Sequence, residues 1–257
     1  MDYMIFKEGD IIMFNKTFFL VIKINKKIIL AIIALIILLV LASLLISNNA
    51  TAVFSNSRKT IAIDPGHGGI DGGSSNAGLL EKSVNLQISL RLRGVLKNKG
   101  INVVMTRDSD VSLESKSNLN SSRYRKDLHA RKTIIENNNS TAFISVHMDA
   151  YKNSSARGVR VFYYQTSEES KKLAENICTR INKMVFNDFL NTSDVKAVIA
   201  VGDYYLLRTA GPPGVIIETG FITNPTDNKL IQREDYQNIM AAAIGQGIED
   251  YLFRKSQ

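Results

Sequence analysis

The chain has 257 residues and a formal net charge of +8; 45% of its residues are hydrophobic and 22% are charged. This is the composition of an ordinary globular protein with one additional apolar segment, and the sequence has no internal repeat and no low-complexity tract. A single cysteine, Cys178, excludes a disulfide framework. Residues 59–257 contain 26 basic and 21 acidic residues, and this modest positive charge suits an anionic polymer as partner. The basic residues form no dense cluster, which disfavours nucleic acid as that polymer.

The first predicted element is a transmembrane helix. Ile28–Ile46 is a run of 19 residues without a charge, which is long enough to cross the hydrocarbon core of a membrane. Lysines at positions 23, 26 and 27 precede it, and the next basic residue is Arg58. The positive-inside rule therefore predicts a cytoplasmic leader (1–27), a signal-anchor (28–46) and an extracytoplasmic remainder. A buried core helix is the alternative interpretation of this run.

The sequence after the apolar run allows the predicted membrane anchor to be either cleaved or retained. Ala50-Thr51-Ala52 has the small-x-small pattern of a signal-peptidase site, so the domain could be exported after cleavage near Ala52. The long leader and the long apolar run favour a retained membrane anchor. Residues 47–58 are small and polar and are predicted to form a linker, and 59–257 to form one globular domain.

Strand and helix patterns alternate through the rest of the chain. Strands are predicted at Thr60–Ile63, Ile101–Thr106, Ala142–Val146, Val159–Tyr164, Leu206–Leu207 and Val215–Ile217. Helices are predicted at Glu81–Lys99, through Leu128 to Ile135, at Ser167–Met184 and at Tyr236–Leu252. This alternation predicts an α/β fold with a mostly parallel, twisted sheet and helices on both faces.

Four side chains that can bind metal or transfer protons are predicted to meet at one edge of this sheet. His67 lies in a glycine-rich loop after the first strand, and His147 closes the third strand. Glu218 ends the last strand, and Glu81 begins the first helix. Ligands of such sheets collect beyond the carboxyl ends of the strands, so this edge is the predicted active site.

These residue types suit a zinc hydrolase. Two histidines and one glutamate are an established ligand set for catalytic zinc, and His67, Glu81 and His147 supply it. Glu218 would accept a proton from the attacking water and pass it to the leaving amine. The glycines of the 66–73 loop would let the backbone pass close to metal and substrate.

Each residue taken alone also has a structural interpretation. His67 could cap a loop, His147 could be a hydrogen-bonded core residue, and Glu81 could complement the dipole of its helix. Glu218 differs, because a carboxylate directly after Val-Ile-Ile is costly to bury unless it is used or paired. The third histidine, His129, is predicted to lie on a solvated helix face together with Asp127, Arg131 and Lys132.

A nucleotide-binding interpretation of the glycine-rich loop fails on its spacing. From Gly66 the sequence follows the pattern G-x-G-x-x-D, which lacks the third glycine of the dinucleotide fingerprint. No Walker lysine follows the loop either.

Four sequence blocks resemble the zinc-dependent N-acetylmuramoyl-L-alanine amidases of the Amidase_3 family. They are Asp-Pro-Gly-His-Gly-Gly at 64–69, Glu81, Ser-Val-His at 145–147, and Ile-Glu-Thr-Gly-Phe-Ile-Thr-Asn-Pro at 217–225. The blocks follow the order of the family, and the resemblance spans about residues 60–252. It implies a zinc ion held by His67, Glu81 and His147, with Glu218 as the catalytic glutamate. The implied reaction cleaves the amide between muramic acid and the L-alanine of the peptidoglycan stem peptide.

Two positions depart from the pattern of the family, and a third position agrees with it. The family often has Asn two residues after the second histidine, where this chain has Asp149, and Cys after the catalytic glutamate, where it has Thr219. Arg208 matches a basic position of the family, which implies contact with a substrate carboxylate. A surface ion pair is the alternative role for Arg208.

Within the family, one catalytic domain behind one membrane segment resembles the germination-specific amidases of spore formers. That resemblance implies a role in spore-cortex maturation through muramic lactam formation. A vegetative autolysin or cell-separation amidase is the alternative, and a non-catalytic peptidoglycan-binding domain is a third. The need for an activator protein is left open.

Overall fold

The computed structural model describes residues 11–14, 17–20, 25–55 and 59–253. The chain divides into two compact units, residues 1–57 and 58–257. The first unit contains an antiparallel pair of short strands, β1 (Ile11–Phe14) and β2 (Thr17–Leu20), followed by helix α1 (Lys26–Ser55).

Helix α1 includes the whole predicted apolar segment and continues beyond it. The sequence predicts a linker at 47–58, but the helix extends through Ser55, because residues 47–55 contain neither glycine nor proline to end it. The last three residues of the expected linker lie outside the described residues. Within the part of the chain that the structure describes, none of the helices combines the length and the apolar character that a membrane crossing requires.

The second unit is built around a six-stranded sheet. The unit has eight strands: β3 (Thr60–Pro65), β4 (Ser75–Asn76), β5 (Leu79–Leu80), β6 (Asn102–Met105), β7 (Ala142–Asp149), β8 (Val159–Tyr163), β9 (Ala197–Val201) and β10 (Gly214–Phe221). Strands β4 and β5 form a separate antiparallel hairpin, and the other six strands form the sheet. The sheet order is β6-β3-β7-β10-β8-β9. All neighbouring strands in it are parallel except β10 and β8. The predicted α/β class with a mostly parallel sheet is confirmed.

Helices cover both faces of the sheet. They are α2 (Glu81–Asn98), α3 (Arg123–Asn137), α4 (Glu168–Ile181), α5 (Tyr205–Thr209), α6 (Pro225–Ile231) and α7 (Glu234–Phe253). The larger core packs α2, α4 and α7 against one face. A smaller core on the opposite face joins α3 and α5 to the sheet. The central strands β3, β7 and β10 are thus buried on both sides, which explains their nearly continuous apolar sequences.

The long helices follow the predicted patterns closely. Val84, Ile88, Leu92 and Leu96 form the buried stripe of α2, and Gly100 follows the helix with a φ of +74°. Helix α4 begins after Ser167, whose hydroxyl accepts a hydrogen bond from the backbone N–H of Ser170. It ends at Ile181 rather than at Met184, and a π-helical segment covers Asn182–Phe189.

The predicted strand at Leu206–Leu207 is wrong. Both residues lie in the short helix α5 and pack in the smaller core. A pair of apolar residues fits one turn of helix as well as it fits a strand, so its periodicity cannot separate the two. The edge strand β9 and helix α6 were not predicted from the sequence.

Candidate active site

The three predicted metal ligands meet in space. The Nε2 atom of His67 and the Nδ1 atom of His147 each lie 3.1 Å from Oε1 of Glu81. Ligands held tetrahedrally at zinc distances are about 3.3 Å apart, so two of the three separations nearly match. One ligand atom from each residue lies within 4.8 Å of the others. In chemistry and spacing, the three residues fit a zinc ion.

Each ligand is presented by a different element. His67 follows β3 in the glycine-rich loop, and His147 lies in β7 with its ring toward the face that α3 covers. Glu81 is the first residue of α2 and is buried. Its two carboxylate oxygens accept hydrogen bonds from the backbone N–H groups of Ser74 (2.8 Å) and Met148 (3.1 Å). The carboxylate is therefore held in one orientation.

Two positions of the loop must be glycine, because the rings of His147 and His67 lie too close to leave room for a side chain. A Cβ atom at Gly66 would lie 2.2 Å from Cε1 of His147. At Gly73 it would lie 2.7 Å from Cδ2 of His67, and this residue has a φ of +67°. The backbone can wrap around both rings only because these positions carry no side chain.

Asp71 is a residue of the site that the sequence analysis missed. Its Oδ2 atom lies 2.9 Å from Nδ1 of His67, which leaves Nε2 of that ring facing Glu81. Metal-binding histidines commonly contact a carboxylate in this way through the other ring nitrogen. Burial lowers the pKa of His67, but Glu81 and Asp71 outweigh it and raise the pKa to about 9. A carboxylate four residues after the histidine, in the same loop, was the available signal.

Glu218 lies beside the ligands on the neighbouring strand. It is the register partner of His147 across β7 and β10, and of Arg160 across β8 and β10. The side chain is buried, and this burial raises its pKa. Within the described part of the chain, its Oε2 atom has no hydrogen-bond partner. A buried carboxylate with a raised pKa and a free oxygen is suited to accept and release a proton.

A cavity of roughly 230 Å³ opens in front of these residues. His67, His147 and Glu218 form one wall, and residues of α3 and of the segment that enters α5 form the other, including Tyr124, Leu128, Tyr204 and Leu206. The cavity places the two histidines and the carboxylate of Glu218 against one space that a substrate can enter.

The prediction that the face of α3 around His129 is solvated is wrong for two of its residues. Asp127 and Arg131 are buried: Arg131 donates hydrogen bonds to Asp127 Oδ2 (2.6 Å) and to Asp64 Oδ1 (2.7 Å). The sheet presents polar residues to this face of α3, so its inward side is charged. His129 itself is half-buried, with its Nδ1 atom 3.1 Å from the hydroxyl of Ser117.

Asp64 is the centre of this buried charge network. Burial raises its pKa, but Arg131 and the hydroxyls of Ser145 and Thr106 outweigh that effect and lower the pKa to about 2. Asp64 therefore stays ionised beneath the loop that carries His67. Asp64 is the first residue of the sequence block at 64–69, but its role could not be predicted, because a carboxylate inside a strand has no pattern of its own.

The remaining predicted positions lie outside the metal cluster. Arg208 is exposed, forms an ion pair with Asp203, and lines a depression next to the cavity rather than the cavity itself. Asp149 forms an ion pair with Arg160. The hydroxyl of Thr219 donates a hydrogen bond of 3.0 Å to the carbonyl of His147. The ion pair with Asp203 matches the alternative role of Arg208, and its contact with a substrate carboxylate stays a prediction.

Comparison with known proteins finds amidases as relatives of this chain. Residues 61–250 match the family described as N-acetylmuramoyl-L-alanine amidase, Amidase_3. The chain is 34% identical to the germination-specific N-acetylmuramoyl-L-alanine amidase of Bacillus subtilis, over 77% of this chain and 82% of the relative. It is 32% identical to the probable cell wall amidase LytH of Staphylococcus epidermidis, over 76% of this chain and 58% of the relative.

A solved amidase structure is also similar to this chain. The CwlD amidase of Clostridioides difficile, determined in complex with the GerS lipoprotein, superposes with a TM-score of 0.68. It is 37% identical, and the match covers 76% of this chain and 98% of that one.

Proposed function

Since the chain belongs to the Amidase_3 family of N-acetylmuramoyl-L-alanine amidases, we propose that it cleaves peptidoglycan with a zinc ion held by His67, Glu81 and His147. The observation that carries the proposal is the meeting of these three side chains beside the buried carboxylate of Glu218, whose Oε2 atom has no hydrogen-bond partner among the described residues. The bond cleaved joins muramic acid to the L-alanine of the stem peptide.

The residues around the ligands have separable roles in this proposal. Zinc, when bound, supplies a Lewis acid that lowers the pKa of water and polarises the scissile carbonyl. Asp71 orients the ring of His67, so that Nε2 faces the ion. Glu218 accepts the proton of the attacking water and then donates it to the leaving amine of the L-alanine. Its raised pKa suits the second of these steps, because it makes the protonated form easier to reach.

Removal of the metal is expected to abolish hydrolysis. The purified chain should contain about one zinc ion, since the site offers three protein ligands and one open position. Prolonged chelation should remove both the zinc and the release of new N-terminal alanine from digested sacculi, and added zinc should restore them. Full activity in a preparation shown to contain no metal would contradict the proposal.

We propose spore-cortex peptidoglycan as the substrate, with a role in cortex maturation. Support comes from the similarity to the germination-specific amidase and to CwlD. A vegetative autolysin or cell-separation enzyme is the second candidate, which the similarity to LytH favours. Comparing cleavage of cortex and vegetative sacculi, together with the time of expression, separates the two. A lipoprotein that binds this chain is a further part of the proposal, supported by the complex of the CwlD amidase with the GerS lipoprotein. Copurification from cells would reveal the lipoprotein, and adding it to the purified chain would test whether it activates cleavage.

We also propose that the catalytic domain is extracytoplasmic and attached to the membrane by its N-terminal segment, or exported after cleavage near Ala52. The support is the uncharged run Ile28–Ile46 and the lysines before it.

Protease added to intact protoplasts should therefore degrade residues 59–257 while a cytoplasmic marker protein survives. The reason is that the lysines hold the N-terminus inside. Immunoblotting with an antibody against the catalytic domain measures the result. Complete protection of a chain that fractionates with the membrane would reverse the topology.

A further inference from the structure

Arg107 is buried directly under the metal-binding loop and has no part in the chemistry described so far. Its guanidinium group donates hydrogen bonds to four backbone carbonyls. The acceptors are Pro65 (2.9 Å), Gly66 (2.9 Å), Lys82 (2.9 Å) and Ser109 (3.0 Å). Among the described residues, no carboxylate lies within salt-bridge distance of Arg107, so its hydrogen bonds are all to the backbone.

Two of these carbonyls belong to neighbours of metal ligands. Gly66 directly precedes His67, and Lys82 directly follows Glu81. The same nitrogen, Nη2 of Arg107, donates to both carbonyls. One planar group thus connects the loop after β3 to the first turn of α2. Hydrogen bonds from a charged donor are stronger than neutral ones, so this connection resists separation of the two segments.

Lys82 makes a second connection between the same segments. Its ammonium group donates hydrogen bonds of 2.7 Å to the carbonyl of Gly69 and to Asp110 Oδ2. Asp110 in turn accepts a hydrogen bond of 2.8 Å from the backbone N–H of Gly69. The loop is therefore fastened on both sides of His67.

The loop needs such fastening because of its backbone conformation. His67 has a φ of +60°, a region that a residue with a side chain occupies only under constraint. The carbonyl of His67 also accepts a hydrogen bond of 2.7 Å from Arg131. Without these donors, the loop could relax and move His67 away from Glu81.

We propose that Arg107 and Lys82 are positioning residues that set the zinc affinity by holding His67 and Glu81 at ligand separation. The inference rests on the proposed zinc site. Neither residue touches the metal or the substrate in this scheme; both act through the backbone of the loop. We call the pair the loop clamp.

The test is the zinc affinity of the full-length chain, measured by competition with a chromophoric chelator. Arg107→Lys should weaken zinc binding by about 10- to 100-fold, the range found when partners of metal ligands are lost. A lysine has one nitrogen on a flexible stem in place of three nitrogens in a rigid plane, so it cannot hold all four carbonyls in their present positions. Ile177→Ala, in the core between α4 and α7, is the control. It should lower the unfolding midpoint and leave the zinc affinity unchanged.

Lys82→Met keeps the test decisive if Arg107→Lys does not fold. Lys82 is half-buried, and the substitution removes its hydrogen bond to the carbonyl of Gly69, so it should also weaken zinc binding. Lys97→Met, at an exposed position of the same helix, is its matched control. Wild-type zinc affinity in every clamp variant that folds would overturn the inference. A wild-type chain that binds no zinc would instead overturn the proposed metal function.

Discussion

Replacement of Glu218 by glutamine is expected to lower turnover by about 10²–10⁴-fold while zinc stays bound. Glutamine keeps the size and hydrogen-bonding capacity of the side chain but cannot accept the proton of the attacking water. The structure separates this residue from the metal cluster, since its Oε2 atom has no partner in the described part of the chain. Only the proton-transfer step should therefore be lost.

Metal analysis and single-turnover kinetics on sacculi measure the two parts of this result. Glu234→Gln, an exposed residue at the start of α7, is the matched control and should behave like the wild type. If Glu218→Gln lost its zinc, Glu218 would be a metal ligand and its assignment as the base would be wrong.

Glu81→Ala is expected to lose zinc and activity together. The substitution removes one of three ligands, and it leaves His67 and His147 without the carboxylate that lies 3.1 Å from both. It also removes the acceptor of the Ser74 and Met148 N–H groups, so the loop should loosen. At each zinc concentration of a titration, the zinc content and the turnover of Glu81→Ala should be lowered together relative to the wild type.

The comparison of the two glutamates decides their roles. Excess zinc should partly restore Glu81→Ala, because a weakened site fills at higher metal concentration, but it should not restore Glu218→Gln. If Glu81→Ala kept its zinc while Glu218→Gln lost it, the two roles would have to be exchanged.

The sequence predicted where the site would lie because the sheet imposes its position. His67 and His147 follow from the apolar runs of β3 and β7, and parallel neighbouring strands end at the same edge. Glu218 follows from the same rule, since β10 pairs with β7 in register. Once the three strands are recognised, their order leaves little freedom for these side chains.

The surroundings of the site could not be predicted in the same way. Arg107 lies in a polar segment after β6, and its partners are backbone carbonyls, which carry no sequence signature. Arg131 lies on a helix whose polar pattern is the same whether that face meets water or a polar sheet surface. Leu206–Leu207 was too short for its period to show a helix. These features depend on tertiary packing rather than on local pattern.

The order of strands in the sheet also bears on how the enzyme is made. Strands β7, β8 and β9 are translated before β10, yet β10 lies between β7 and β8 in the folded sheet. A nascent chain that already contains His67, Glu81 and His147 therefore lacks both the strand that unites the two halves of the sheet and the glutamate on it. On the proposed mechanism, the site is therefore incomplete until β10 has been translated, and a nascent chain that reached its substrate before then would leave it uncut.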